Sequence, residues 1–284
     1  MSWDVAGKVC LITGANTGIG RVTAVELARK GARMILAGRS EERTQPVLDE
    51  VRALGAEAEF LPLDLGSLAS VRRAAKTFLE SGRPLELLVL NAGLAGFRGL
   101  TEDGFEVHFG TNHLGHFLLT CLLRERLVAS APARVVVVAS RAHYRARALD
   151  LDTVRRSTES VTGFSEYGVS KLANVLFASE LARKLAGTGV TTYSLHPGVV
   201  ASDVWRRVPW PFRSVIKLWM ITNEEGAQTT LHCATAPALE GESGLYYDKC
   251  APKKASRLAR DEALAAKLWK TSEELTGCSF STVK

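Results

Sequence analysis

The chain predicts an α/β fold, a doubly wound parallel sheet of about seven strands with helices on both faces, gathered in a single domain. Three observations carry this. Short apolar runs alternate with amphipathic helical stretches along the chain. A glycine-rich turn joins the first strand to the first helix. No repeat, low-complexity run or long linker divides the 284 residues, which are 46% hydrophobic and long enough to bury a sizeable core.

The first strand is Lys8-Val9-Cys10-Leu11-Ile12, and it runs straight into Thr13-Gly14-Ala15-Asn16-Thr17-Gly18-Ile19-Gly20. A helix from Arg21 to Lys30 follows, with Gly31 at its stop. Strand, glycine turn and helix make a dinucleotide-binding unit, in which glycines admit a pyrophosphate to the backbone and the helix N-terminus attracts it. Further strands are expected at Arg33 to Ala37, Ala58 to Leu63, Leu85 to Leu90, Arg134 to Ala139, Val190 to Leu195 and Leu245 to Tyr247. Helices are expected at Glu41 to Leu54, Ser67 to Leu79, Thr101 to Leu127, Glu166 to Leu185 and Asn223 to Ala234. Right-handed crossovers then give the strand order 3-2-1-4-5-6.

Tyr167-Gly-Val-Ser-Lys171 places a phenol and an ammonium four residues apart on one helix face. A phenol titrates near ~10 and is a poor acid at neutral pH, and a fixed cation beside it is expected to lower that value. On its own such a pair is an ordinary surface feature. The spacing Gly14, Gly18, Gly20 together with Tyr167 and Lys171 resembles the short-chain dehydrogenase/reductase family over nearly the whole chain. Asn91-Ala92-Gly93, Asn112, Ser140 and Pro197-Gly198 match further landmarks in the same order. Asn112 to Phe117, Lys171 to Phe177, His196 to Val200 and Glu225 to Thr229 resemble its retinol dehydrogenase branch.

The resemblance implies a Rossmann-type sheet with a seventh strand beyond the sixth. It divides the domain into a cofactor half to about residue 140, a catalytic and lid half from about 140 to 250, and a C-terminal helical tail from about 255 to 284. Tyr167 is expected to donate the proton and Ser140 to hydrogen-bond the carbonyl. Lys171 would lower the tyrosine pKa and hold the nicotinamide ribose, and Asn112 would position a water reaching the lysine. The cofactor would lie along Gly14, Asn16, Thr17, Gly18, Ile19 and Gly20, past Asp64 and Leu65 at the adenine and Asn91, Ala92 and Gly93 beyond. Pro197, Gly198, Val200 and Ser202 would complete its nicotinamide end. Two departures stand out. Leu90 replaces a first asparagine, which removes one bridging hydrogen bond, and Ala201-Ser202 stands where a threonine is usual.

An NAD enzyme would carry an acidic residue at the end of the second strand, but Gly38-Arg39-Ser40 stands there. Arg39 offers a charged planar fork to the 2′-phosphate, so the expected cofactor is NADP(H), with Arg21 as a candidate helper. The expected partner is a lipophilic aldehyde or ketone and its alcohol, with retinal and retinol favoured by resemblance. Steroid, lipid-derived and xenobiotic carbonyls are alternatives, and a cofactor-sensing binding protein is the reading from another class.

The net charge is +6 and the pI about 9.1, but the cations are spread over helices without a basic block, which excludes nucleic acid as the expected partner. Cys10, Cys121, Cys233, Cys250 and Cys278 have no framework spacing and suit a reducing compartment. His108, His113 and His116 lack the companions of a metal site and are read as packing and hydrogen-bonding groups, so no metal is expected. Residues 204–220 interleave Trp205, Trp210, Phe212 and Trp219 with Arg206, Arg207, Arg213 and Lys217. That stretch reads as a substrate lid, as a lid with peripheral membrane contact, or as a helix packed on its own core. No run reaches the ~18 apolar residues of a span, and a cytoplasmic or peripherally membrane-associated protein is expected, with self-association left open.

Overall fold

The computed structural model describes residues 3–198 and 221–280. Its centre is one eight-stranded sheet: β1 (Val9–Thr13), β2 (Arg33–Gly38), β3 (Ala58–Pro62), β4 (Leu87–Leu90), β5 (Ala133–Val138), β6 (Val190–His196), β7 (Leu245–Asp248) and β8 (Ala251–Pro252). The order is β3-β2-β1-β4-β5-β6-β7-β8. Every neighbouring pair is parallel except β7 with β8, which is antiparallel. The predicted order holds, and a two-residue edge strand is added. Strands β1, β4 and β5 are buried along their whole length, which explains their largely apolar sequences.

Among the described residues the α-helices are α1 (Gly18–Arg29), α2 (Glu41–Ala53), α3 (Leu68–Glu80), α4 (Gly115–Ala129), α5 (Phe164–Lys184), α6 (Asn223–Thr235) and α7 (Glu262–Thr276). One apolar cluster lies between the sheet and α3, α4 and α5, with Phe117, Phe177, Leu88 and Val135 at its centre. A second lies on the opposite face with α1, α2 and α6, around Leu11's neighbours Cys10 and Ile12 and including Leu27 and Tyr193. The residues expected as a C-terminal tail contribute to the first cluster. Trp269 of α7 stacks on Phe177 at 5.8 Å and takes Phe280 edge-on at 5.0 Å.

The helix expected from Thr101 to Leu127 is divided. Thr101 and Phe105 bracket a tight turn through Gly104, whose φ of +75° is a left-handed conformation, and Leu100 bridges Glu106. The helical path starts only where the Glu106 carboxylate receives the amides of His108 and Phe109, both at 2.8 Å. A wide π-type turn over Phe109–Leu114 then leads into α4. A Cβ on Gly115 would stand 2.4 Å from the Leu65 carbonyl, so this glycine lets the helix meet the end of β3's loop. Apolar periodicity does not reveal such a split, because its cause is a side-chain cap and the close approach of Gly115 to Leu65.

Candidate active site

The carboxyl ends of β1, β4, β5 and β6 open into a cleft of about 1700 Å³. Its floor near β1 is the glycine turn. Gly14 has a φ of +71°, and a Cβ there would lie 2.9 Å from Ala92. A Cβ on Gly20 would lie 2.3 Å from the Gly14 carbonyl oxygen and 2.5 Å from Asn91 Nδ2. The turn therefore closes on itself only without side chains, and α1 starts at its end with no side-chain cap on its first amides. Those free amides, the bare glycines and the helix N-terminus suit a pyrophosphate, so the residues present fit a dinucleotide.

Gly14, Asn16, Thr17, Gly18, Ile19 and Gly20 all line this floor. Asp64 and Leu65 line it on the β3 side, and Asn91, Ala92 and Gly93 follow β4. Pro197 and Gly198 stand at the end of β6. Val200 and Ser202, and the lid stretch 204–220, lie outside the described residues. Arg39 also lines the cleft, together with Arg43 in the first turn of α2. Arg21, the candidate helper, instead pairs with Glu50 at 2.7 Å and does not line the cleft. The arginine that joins Arg39 is Arg43. The capping Ser40 was the signal, because it sets α2's first turn at the same sheet edge.

The loss of an asparagine at Leu90 is made good from β1. Thr13 Oγ1 accepts the amides of Asn91 and Ala92, both at 3.0 Å, and Asn91 Nδ2 donates to the carbonyls of Thr13 and Gly14. With both lone pairs engaged, Thr13 has its proton to give to His116 Nε2 at 2.9 Å. The other nitrogen of His116 donates to the Asn112 carbonyl at 3.1 Å. Burial pulls His116 down to about 3, so the ring is neutral and this assignment is consistent at physiological pH.

Tyr167 and Lys171 lie one turn apart on α5, and Ser140 follows β5. A Cβ on Gly168 would come within 3.2 Å of the Ala142 carbonyl oxygen, so the missing side chain lets the loop after Ser140 seat against the tyrosine's helix. The Ser140 hydroxyl accepts the Ala142 amide at 3.1 Å, and Ser140 and Tyr167 line the same cleft. Lys171 Nζ donates to the Val138 carbonyl at 2.8 Å and stands 5.7 Å from the centre of the Tyr167 ring. Burial lowers the lysine to about 8 and raises the phenol above its ordinary value, opposed by the Ser140 side chain. The expected lowering of the tyrosine by Lys171 is therefore not what this geometry produces. Burial raises it instead, and the tyrosine is held protonated and able to donate.

Asn112 is brought to the same place but stands behind the wall of the cleft. Its Oδ1 accepts the Leu94 amide at 2.9 Å, and its Nδ2 donates to the Leu94 carbonyl and to Ser170 Oγ, both at 3.0 Å. A Cβ on Gly93 would lie 3.4 Å from both Asn112 Oδ1 and Lys171 Nζ. With its side chain bonded to Leu94 and Ser170, Asn112 braces the loop after β4 against α5. The other two histidines also have assigned partners: His113 Nε2 bonds Ser272 at 2.9 Å, and His108 Nδ1 bonds Glu106 at 2.8 Å.

A strand-edge cleft with a glycine turn at one end and a serine, tyrosine and lysine at the other defines a dinucleotide-dependent dehydrogenase. The short chain dehydrogenase family model matches residues 8–150, and the chain belongs to that family. Within it the likeness is to the retinol dehydrogenase branch. The chain is 45% identical to mouse retinol dehydrogenase 12 over 98% of its own length and 89% of that protein's. It is 45% identical to human retinol dehydrogenase 11, covering 96% and 87% of the two chains. Bovine dehydrogenase/reductase SDR family member 13 is also 45% identical, over 96% and 74%. A solved structure of an uncharacterized protein from Mycobacterium Paratuberculosis superposes with a TM-score of 0.80 at 35% identity, covering 99% of this chain and 97% of that one. The chain is thus an oxidoreductase of the class that acts on CH–OH or C=O groups.

Among the described residues, no helix is long and apolar enough to cross a membrane.

Proposed function

We propose that this protein is an NADP(H)-dependent oxidoreductase interconverting a lipophilic aldehyde or ketone with its alcohol, with retinal and retinol as the leading pair. The observation that carries the chemistry is the convergence of Ser140 and Tyr167 on one cleft beside the buried Lys171 ammonium, at the carboxyl edge of the sheet. NADP(H), when bound, supplies or accepts hydride. Tyr167, held protonated by burial, donates its phenolic proton to the carbonyl oxygen in reduction and takes it back in oxidation. Ser140 donates its hydroxyl proton to the same oxygen, so charge developing there meets a fixed donor. Lys171 is a buried cation whose field favours the phenolate left after proton transfer.

The NADP preference is supported by Arg39 and Arg43 at the adenosine end, where a 2′-phosphate would meet two guanidinium groups and no carboxylate side chain of the second strand. The lipophilic substrate is supported by the relatives' names and by Phe97, Val107 and Phe164 on the cleft wall near the tyrosine. The test is turnover of a panel containing all-trans-retinal, a steroid ketone, a lipid-derived aldehyde and a short aldehyde, each with NADPH and with NADH. Faster turnover of the long apolar aldehydes with NADPH is expected. Inactivity across the whole panel with both cofactors rules out the catalytic reading, and equal rates with the two cofactors rule out the arginine selectors.

A further inference from the structure

Behind the catalytic tyrosine lies a buried acid–imidazole pair that the proposed proton transfer does not use. Glu106 is 6% exposed, and four hydrogen bonds converge on its carboxylate. Oε2 accepts the amides of His108 and Phe109 at 2.8 Å, and Oε1 accepts from His108 Nδ1 at 2.8 Å and from Thr158 Oγ1 at 2.5 Å. An ionised carboxylate only accepts, so the His108 proton sits on Nδ1 and the ring is fixed in that orientation. His108 is fully buried, and the Glu106 carboxylate is the side-chain partner of its ring.

That placement is against the first turn of α5. The His108 ring meets the Tyr167 ring edge to face, with centroids 6.3 Å apart at 71°. Gly163 starts the helix with a φ of +69°, and a Cβ on it would lie 2.9 Å from His108 Cε1. The Gly163 carbonyl receives the Tyr167 amide at 3.0 Å. The imidazole therefore touches both ends of the turn that presents the phenol, and Thr158 ties the same carboxylate to the segment leading into α5.

We propose that Glu106 and His108 are positioning residues for Tyr167: the carboxylate fixes the imidazole, and the imidazole fixes the phenol's ring and the first turn of its helix. The proposal rests on Tyr167 being the proton donor. A misplacement of about 1 Å at a reacting group can lower a rate by ~10²-fold, whereas cofactor and substrate contacts made elsewhere in the cleft would be untouched.

The experiment measures kcat, KM for the carbonyl, NADPH affinity and melting temperature for Glu106→Gln and His108→Leu, with Tyr167→Phe in parallel. The expected result is a kcat lower by roughly 10- to 100-fold in both variants. KM and NADPH Kd should stay within about twofold of wild type, the pattern of stabilisation lost only in the transition state. His108→Phe, which keeps an aromatic edge toward Tyr167, should recover part of the loss. Should Glu106→Gln fail to fold, His108→Leu still decides, because Glu106 then keeps its backbone and Thr158 bonds. A folded His108→Leu with wild-type kcat overturns the proposal, and so does a parallel loss of kcat, NADPH affinity and melting temperature, the signature of general loosening. If Tyr167→Phe itself remains active, it is the catalytic reading that has failed.

Discussion

The two ends of the cleft are built on opposite principles. The glycine turn over Thr13 to Gly20 works through absent atoms: Gly14 and Gly20 sit where a Cβ would collide with Ala92, Asn91 or the turn's own carbonyl. The catalytic end works through buried polar side chains, each held by a partner. Asn112 is bound to Leu94 and Ser170, Lys171 to Val138, and Glu106 to His108 and Thr158. The first end should be intolerant of addition and the second of deletion. The difference follows from what each must bind: a pyrophosphate is recognised by backbone amides at close approach, whereas proton transfer requires side chains in fixed protonation states.

The largest effect is expected from deletion at the catalytic end. Tyr167→Phe removes one hydroxyl and should lower turnover by ~10²-fold or more, since a general acid is lost, with NADPH affinity nearly unchanged. Steady-state kinetics with a fluorescence titration of NADPH checks both halves of the statement.

Addition at the other end comes next. Gly20→Ala puts a methyl 2.3 Å from the Gly14 carbonyl oxygen, and the turn must shift. Overpacking of this kind costs about 1–3 kcal/mol, so a lower melting temperature should accompany a loss of cofactor affinity. The same substitution at Gly82, where a Cβ meets nothing within 4 Å, controls for added bulk, although its φ of +69° adds some strain. Equal losses of NADPH binding at the two positions would dissolve the contrast between the ends.

A charge reversal sharpens the comparison at the adenosine edge. Arg39→Asp should weaken NADPH binding about tenfold or more while leaving NADH nearly unaffected, because a charge-assisted bond is replaced by repulsion. Arg43→Ala should give a smaller change in the same direction. Comparable weakening for both cofactors would remove these arginines as selectors.

The smallest effect is a pH dependence. Burial lowers Lys171 to about 8, so turnover that depends on its charge should decline as pH rises through that value. The sign for stability is opposite. The folded pKa lies below the unfolded value near ~10.4, so burying the charged form costs stability at neutral pH, and this contribution improves as pH rises from about 8 toward ~10. A pH–rate profile falling above about 8, without a matching fall in melting temperature from this group, separates loss of the cation from unfolding.

The sequence by itself determined the sheet, its order and the cofactor turn. Fully buried strands read as apolar runs, and a turn that excludes side chains is written in its glycines, so Val9–Thr13 and Gly14 to Gly20 announce themselves locally. It also named Ser140, Tyr167 and Lys171, because their types and order carry the chemistry. Tertiary structure alone decided how those groups behave. The phenol rises and the lysine falls because both are desolvated, which depends on everything packed around them. It decided that Arg21 pairs with Glu50 while Arg43 faces the cleft, and that the Asn112 side chain braces Leu94 and Ser170. It also split the stretch from Thr101 to Leu127, because a carboxylate cap and the close approach of Gly115 to Leu65 are contacts between segments, and no periodicity within one segment encodes them.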